Sequence, residues 1–346
     1  MLEQIAETVR AASARKQPLR IRGSGSKDFY ANALEGEPLD MRGHSGVVDY
    51  EPTELVITAR AGTPLAEIER ALAGGRQMLA CEPPHFGPDA TLGGCVAAGF
   101  SGPRRVQCGS VRDFVLGVKV MNAQGEVLSF GGQVMKNVAG FDVSRLMAGS
   151  FGTLGVLLEV SLKVLPVPDE ELTLRFELDE AAAIDRMNRW GGQSLPISAS
   201  CFVDGTLTLR LSGSALGVAA ARKQLGGEAV AQGGQFWTDV REQRHAAFQG
   251  VALWRVSLRS TTPPLNLPGR QVIEWGGAQR WIAGEVPPEQ VASAARSGGG
   301  HATRFRGKAA TPLMQLEPGV LALHRRLKAA LDPQGIFGPR RLHPEF

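Results

Sequence analysis

The 346-residue chain has only two tyrosines, Tyr30 and Tyr50, and nowhere interleaves aromatic with basic side chains, which removes the stacking platform that single-stranded nucleic acids need. Charge of one sign is never concentrated. The formal net charge is +4, and the nearest approach to a basic block is the pair Arg340 and Arg341, so no nucleic-acid partner is expected. The four cysteines, Cys81, Cys95, Cys108 and Cys201, contain no Cys-x-x-Cys pair, and the first three stand 14 and 13 residues apart. Those spacings exceed zinc and iron–sulfur ligand spacings. No metal is expected, and free cysteines of this kind serve as small buried hydrophobes. The longest apolar run, around "FGTLGVLLEV", falls short of the roughly 20 residues of a membrane helix. The N-terminus also lacks the charged, apolar and small-residue succession of a signal peptide, so a cytoplasmic protein is expected.

What the chain has in quantity is glycine, 43 residues, within a composition that is 43% hydrophobic and 21% charged. That reads as a globular chain with many turns and close backbone approaches, long enough for two packed domains. Leu2, Ile5, Val9 and Ala12 predict an amphipathic helix over 2–16. "LRIRG" then reads as a strand entering the loop "GSGSK". "LVITARAG", "PLAEIERALAG" and "QMLACE" form a strand–helix–strand unit, with Pro opening and Gly closing the helix. "VLGVKVMNAQGEVLSF" is a hairpin, "DVSRLMAGS" a short helix capped by Asp142 or Ser144, and "TLGVLLEVSLKVLPVP" a long strand ended by prolines. From about 170 to 305, strands and helices alternate as in an antiparallel sheet covered by helices, with 297–307, "SGGGHATRFRG", as a glycine-rich surface loop. The remainder, "VLALHRRLKAALDPQGIFGPRRL", is a helix and a turn-rich tail.

Two glycine-rich segments carry the chemical signal. "RIRGSGSK" (Arg20 to Lys27) follows a strand but is neither a Rossmann fingerprint nor a Walker A sequence. "ATLGGCVAAGFSG" couples the hydroxyls of Thr91 and Ser101 to Gly93, Gly94, Gly99 and Gly102, so backbone and hydroxyl donors could converge on one pyrophosphate. Together with "CGSVRDFVLGVKVMNAQGEV" and "GGQVMKNVAGFDVSRLMAGSFGTLGV", these segments resemble the FAD-binding domain of the vanillyl-alcohol oxidase (PCMH-type) superfamily over residues 15–165. Within it, "KNVAGFDVSRLMAGSFGTLG" and the short length resemble the FAD-binding subunit of glycolate oxidase, the GlcE type, and "LDPQGIFGPRRL" is similar to that family's C-terminal "DP-x-GIF-NP" segment.

The resemblance implies an α+β fold. A PCMH-type FAD-binding domain of two α/β subdomains (1–168) would precede a smaller antiparallel-sheet cap domain (169–305) and a C-terminal segment returning to the FAD domain (306–346). It implies that Arg22, Gly23, Ser24, Gly25, Ser26 and Lys27, with Thr91, Leu92, Gly93, Gly94, Gly99, Ser101 and Gly102, surround the cofactor's pyrophosphate and ribityl chain. Asp113 would hold the loop behind them, and Gly152, Thr153, Gly155 and Val156 would run along the cofactor. Some members attach FAD through a first-loop histidine; "GSGSK" has none, and Cys95 is not at the covalent cysteine position, so non-covalent FAD is expected. Phe141 replaces a common Tyr and Gly338 a usual Asn.

The implied activity is oxidation of glycolate, or a related 2-hydroxy acid, to the 2-oxo acid. The implied partners are a larger FAD-containing subunit and an iron–sulfur subunit, placing the chain peripherally at the inner membrane. Such oxidation needs a base, a cation for the carboxylate and a flavin to accept hydride. The six histidines are scattered; His301 near Arg304 and Arg306, and Lys136 with Asn137, are the catalytic candidates. Two other readings share the fold: a self-sufficient enzyme like UDP-N-acetylenolpyruvoylglucosamine reductase, whose "GGGSN" and "NAGAYG"-like loops differ from "RGSGSK" and "VAAGFSG", and a redox-silent structural subunit.

Overall fold

A computed structural model describes residues 1–32, 34–133, 142–307 and 316–346. Two compact units emerge. One gathers Met1–Phe100, Ser110–Pro166 and the C-terminal stretch to Phe346; the other gathers Ser101–Gly109 and Val167–Ala310.

The first unit opens with helix α1 (Leu2–Arg15), which buries Ile5, Ala6, Val9 and Ala12 along one stripe and ends at Lys16 in the left-handed conformation. Strands β1 (Leu19–Arg22) and β2 (Glu37–Asp40) pair in parallel. A five-stranded antiparallel sheet follows in the order β3 (Val47–Glu51), β4 (Val56–Arg60), β8 (Val156–Lys163), β6 (Val115–Met121), β7 (Val127–Gly131). The central strands β6 and β8 are buried along most of their length, whereas the edges β3 and β7 are mostly exposed. Helix α2 (Leu65–Gly74) packs through Leu65, Ile68 and Leu72, and the expected strand "QMLACE" shortens to β5 (Gln77–Met78), paired with β9 (Leu165–Pro166). Beyond it the chain turns over 79–82, where the Glu82 N–H bonds to the Leu79 carbonyl (2.9 Å) and Glu82 takes φ 47°.

The segment "PDATLGGCVAAGFSG", read from sequence as a loop, contains helix α3 (Leu92–Ala98). Thr91 caps it, accepting a hydrogen bond from the Gly94 N–H, and Gly99 closes it in the left-handed conformation. Short helices α5 (Val111–Phe114) and α6 (Val143–Leu146) complete the middle of the unit; Asp142 is the cap of α6. Helix α11 (Pro318–Leu331) leads into a tail whose Ile336 and Phe337 are fully buried with α1, β1 and β8 residues in one core.

In the second unit an eight-stranded antiparallel sheet runs β13 (Glu228–Ala229), β10 (Glu170–Glu177), β12 (Thr206–Gly213), β11 (Ile197–Val203), β15 (Arg270–Glu274), β16 (Gln279–Ala283), β14 (Leu253–Ser257), β17 (His301–Arg306). Leu174, Phe176, Leu207, Leu209, Phe202 and Ile273 form one core with α7 (Glu180–Gly191) and α8 (Ala215–Leu225). Trp254, Val256 and Ile282 form another with α10 (Pro288–Ser297). The unit also holds α9 (Gly233–Arg241) and the four-residue α4 (Arg105–Cys108). The loop expected at 297–307 is corrected here: its second half is the edge strand β17, because Phe305 buries its ring 4.9 Å from that of Trp281 and the glycines before it serve only as the turn.

Candidate cofactor-binding site

The first unit contains a cleft of about 960 Å3, counted with its open mouth, whose walls are residues 20–28, the α3 segment, residues 151–157, and Gly338 with Arg341 from the tail. Each wall has a different chemistry.

The loop leaving β1 offers donors. The backbone N–H groups of Gly23, Ser24 and Gly25 meet no acceptor among the described residues. The Nε atoms of Arg20 and Arg22 are buried and also lack a hydrogen-bond partner; Arg22 Nε stands 3.7 Å from Asp28 Oδ2, an ion-pair distance only. Lys27 donates to Ser26 Oγ (3.2 Å) and to the carbonyl of His85 (3.1 Å), with its ammonium above the Phe86 ring. Buried donors without acceptors cost free energy, about 1–3 kcal/mol each, unless a ligand supplies the missing lone pairs.

The backbone at the start of α3 offers none. Its N–H groups are already engaged: Leu92 with the Thr63 carbonyl (2.9 Å), Gly93 with the Ala61 carbonyl (2.7 Å), Gly94 with Thr91 Oγ1 (3.2 Å) and Cys95 with the Thr91 carbonyl (2.9 Å). This corrects the expectation that backbone donors of "ATLGGCVAAGFSG" converge on a pyrophosphate at Gly93 and Gly94. What Gly93 and Gly94 contribute is bare surface. A Cβ on Gly93 would stand 2.7 Å from that of Ala61, so only glycine allows α3 to sit this close to β4; one on Gly94 would meet only Thr91 Oγ1, at 3.1 Å.

Of the residues singled out from sequence, Arg22, Gly23, Ser24, Gly25, Ser26, Lys27, Thr91, Gly93, Gly94, Gly152 and Gly155 line the cleft. Leu92, Thr153 and Val156 are buried structural neighbours, and Gly99 is the cap of α3. Asp113 accepts hydrogen bonds from the Ser110 N–H (2.8 Å) and hydroxyl (2.7 Å), and so caps α5 instead of bordering the cleft. Ser101 and Gly102 belong to the second unit, where the Gly102 carbonyl accepts from Trp275 Nε1 at 3.1 Å. Lys136, Asn137 and Phe141 lie outside the described residues.

His301 sits on β17 opposite Ser257, and burial followed by the nearby Arg255 charge lowers its pKa. The arginines paired with it from sequence point elsewhere: the Arg304 guanidinium lies 4.8 Å from the Trp254 ring centre and Arg306 donates to Gln243. Strand alternation separates His301 from Arg304, which a loop reading had grouped, and Arg306 lies beyond a register shift at the far end of the strand. Among the described residues no cluster of three His, Cys, Asp or Glu could hold a metal.

Sequence reasoning missed Arg20, Phe151 and Arg341. In "LRIR", Leu19 is buried in the core and Arg20 and Arg22 alternate with it, so the period of two already put both arginines on one face leading into the glycine loop. Arg341 carried no comparable signal: only the fold brings it to Asn32 and Asp28, whose carbonyls accept from its guanidinium, while burial pulls its pKa down.

Unpaired amides, orphaned guanidinium nitrogens and glycine-bared walls fit a dinucleotide cofactor with a central diphosphate. Residues 2–131 match the family model described as "FAD binding domain". The chain is therefore a flavoprotein of the FAD-binding class. It is 50% identical over 345 residues to the glycolate oxidase subunit GlcE of Escherichia coli, covering 99% of this chain and 98% of that one, and it belongs to the GlcE family. The glycolate oxidase subunit GlcD of Bacillus subtilis is 29% identical over 185 residues, 52% of this chain and 39% of GlcD. A solved structure of alkyldihydroxyacetonephosphate synthase superposes with a TM-score of 0.69 at 16% identity, over 98% of this chain and 76% of that one, and shares the fold.

Proposed function

We propose that this chain is the FAD-carrying subunit of a complex that oxidises glycolate, or a related small 2-hydroxy acid, to the 2-oxo acid. The row of unpaired donors facing the cleft carries this reading, since it is the part of the fold that a bound FAD diphosphate would complete. FAD supplies a two-electron acceptor. Arg20, Arg22, Lys27 and the amides of Gly23–Gly25 hold its diphosphate, and Gly93, Gly94, Gly152 and Gly155 leave it room. Attachment is non-covalent. No His, Cys or Tyr lines the cleft among the described residues, and burial pushes the Cys95 thiol up to about 12, which keeps it a thiol rather than a nucleophile.

The GlcE and GlcD relatives are named as subunits of glycolate oxidase, which supports a multi-subunit assembly; in this reading its other members include a larger FAD-containing partner. In this reading substrate oxidation takes place on that partner and electrons leave through an iron–sulfur subunit; His301 stands apart from the engaged Arg304 and Arg306, and Lys136 lies outside the described residues. No helix among the described residues is long and apolar enough to cross a membrane, so attachment to the inner membrane would run through partners. Residues 169–305 face the substrate or a partner, and 306–346 complete the FAD domain. The test is the visible spectrum of the purified chain, recorded anaerobically before and after glycolate, with acid precipitation to release the flavin. A flavin that is released by acid and stays oxidised with glycolate supports the proposal. Bleaching moves substrate oxidation into this chain, and a flavin that stays with the precipitate refutes non-covalent attachment.

A further inference from the structure

Behind the cleft lies a buried cation whose donors are all engaged. Lys328, on the buried side of α11, donates to Asp332 Oδ2 (2.6 Å), to the carbonyl of Thr153 (2.7 Å) and to the carbonyl of Phe337 (2.7 Å), which satisfies all three ammonium protons. Asp332, whose side chain is fully buried, also accepts from the N–H groups of Ile336 (3.1 Å) and Phe337 (2.8 Å). Each carbonyl belongs to a different wall: Thr153 lies between the lining residues Gly152 and Gly155, and Phe337 precedes the lining residue Gly338. The tail then runs beside β1, with Leu19 N–H bonded to the Ile336 carbonyl (2.7 Å) and Gly338 N–H to the Leu19 carbonyl (3.0 Å). β1 is the strand that delivers Arg20 and Arg22.

A buried ion pair is a poor source of stability, since apolar residues of similar volume commonly do as well or better, but its bonds are directional. We propose that Lys328 is the positioning residue of the cofactor cleft: its bonds to the Thr153 and Phe337 carbonyls fix the separation of the 151–155 wall from the tail and thereby set how tightly FAD is held. This rests on the reading that the cleft is the FAD site.

The experiment is fluorescence titration of the flavin-free chain with FAD, for the wild type, K328M/D332N and G94W. K328M/D332N leaves no uncompensated buried charge and keeps an amide oxygen for the tail N–H groups. The expected result is an FAD dissociation constant raised at least about tenfold, about 1.4 kcal/mol, with the flavin-free thermal midpoint within about 5 °C of wild type. Affinity within twofold of wild type overturns the proposal, as does a rise in Kd accompanied by a much larger fall in the midpoint, which marks a merely structural role. Wild-type affinity in G94W overturns the cleft reading and the positioning role with it, whereas loss in G94W alone overturns only the latter. Should K328M/D332N not fold, hydrogen exchange on the wild type decides: by linkage, FAD must slow the Asp332-held amides of Ile336 and Phe337, and unchanged rates overturn the proposal.

Discussion

The two glycine-rich segments of the first unit look alike on paper and do opposite work. The loop at 22–28 leaves the amides of Gly23, Ser24 and Gly25 without an acceptor among the described residues and sets Arg20 and Arg22 beside them. The start of α3 engages every amide with its own protein and offers only absent side chains. Glycine therefore has two separable uses at one cleft: exposing donors to a ligand, and letting elements approach so closely that a ligand-sized space remains.

Substitutions can break that comparison. The largest effect is expected from Gly94→Trp, because the position faces the cleft and little besides Thr91 Oγ1 lies near an added Cβ. The indole would occupy the cofactor's space, so purified G94W should carry no flavin by absorbance; normal flavin content would refute the placement. Next comes Arg20→Met, which removes a half-buried arginine whose buried Nε has no hydrogen-bond partner. Hydrogen bonds to charged groups contribute about 1.5–3 kcal/mol, so FAD should bind roughly 10–100 times more weakly, with a flatter dependence on salt. A dissociation constant unchanged between 50 and 500 mM salt in the wild type would argue against the charge contact.

Thr91→Ala acts on the other segment. Losing the cap costs about 1 kcal/mol, so the flavin-free chain should melt a few degrees lower while FAD affinity changes less than in R20M. The reverse ranking would mean that the α3 segment is a donor site after all.

The smallest effect is expected in the second unit, whose polar cluster is closed on itself. Glu171 accepts from Ser212 Oγ (2.6 Å) and from Arg104; burial raises its pKa, but the Ser212 bond and the Arg210 and Arg104 charges outweigh this and leave it lowered. A carboxyl with a depressed folded pKa adds stability that is present above its unfolded value, about 4.3, and is lost as pH falls through the folded one. E171Q should thus lose less thermal stability than wild type between pH 5 and pH 3 while keeping its flavin. Equal slopes would show that the network does not hold the carboxylate.

Much of this was legible in the sequence. Regular elements with strong periodicity, such as α1, α7 and the β6–β7 hairpin, follow from hydrophobic spacing and turn residues. The strand alternation in "LRIR" held the position of Arg20. What sequence could not carry was a helix as rich in glycine as α3, where tertiary packing against Ala61 overrides poor helix propensity. Nor could it carry the pairing of Lys328 with Thr153, 175 residues away, or the opposite orientations of His301 and Arg304, which depend on 297–307 being an edge strand instead of a loop.

The tail's place beside β1 also bears on how the chain is made. The cleft's first wall emerges from the ribosome within some thirty residues, yet Gly338 and Arg341 follow only after the whole second unit. A nascent chain therefore carries Arg20, Arg22 and the open amides of Gly23–Gly25 through most of its synthesis, and completes the last wall of the cleft only when its final turns arrive. A premature stop near residue 330 would take Gly338 and Arg341 from the cleft's lining and Ile336 and Phe337 from the core beneath it.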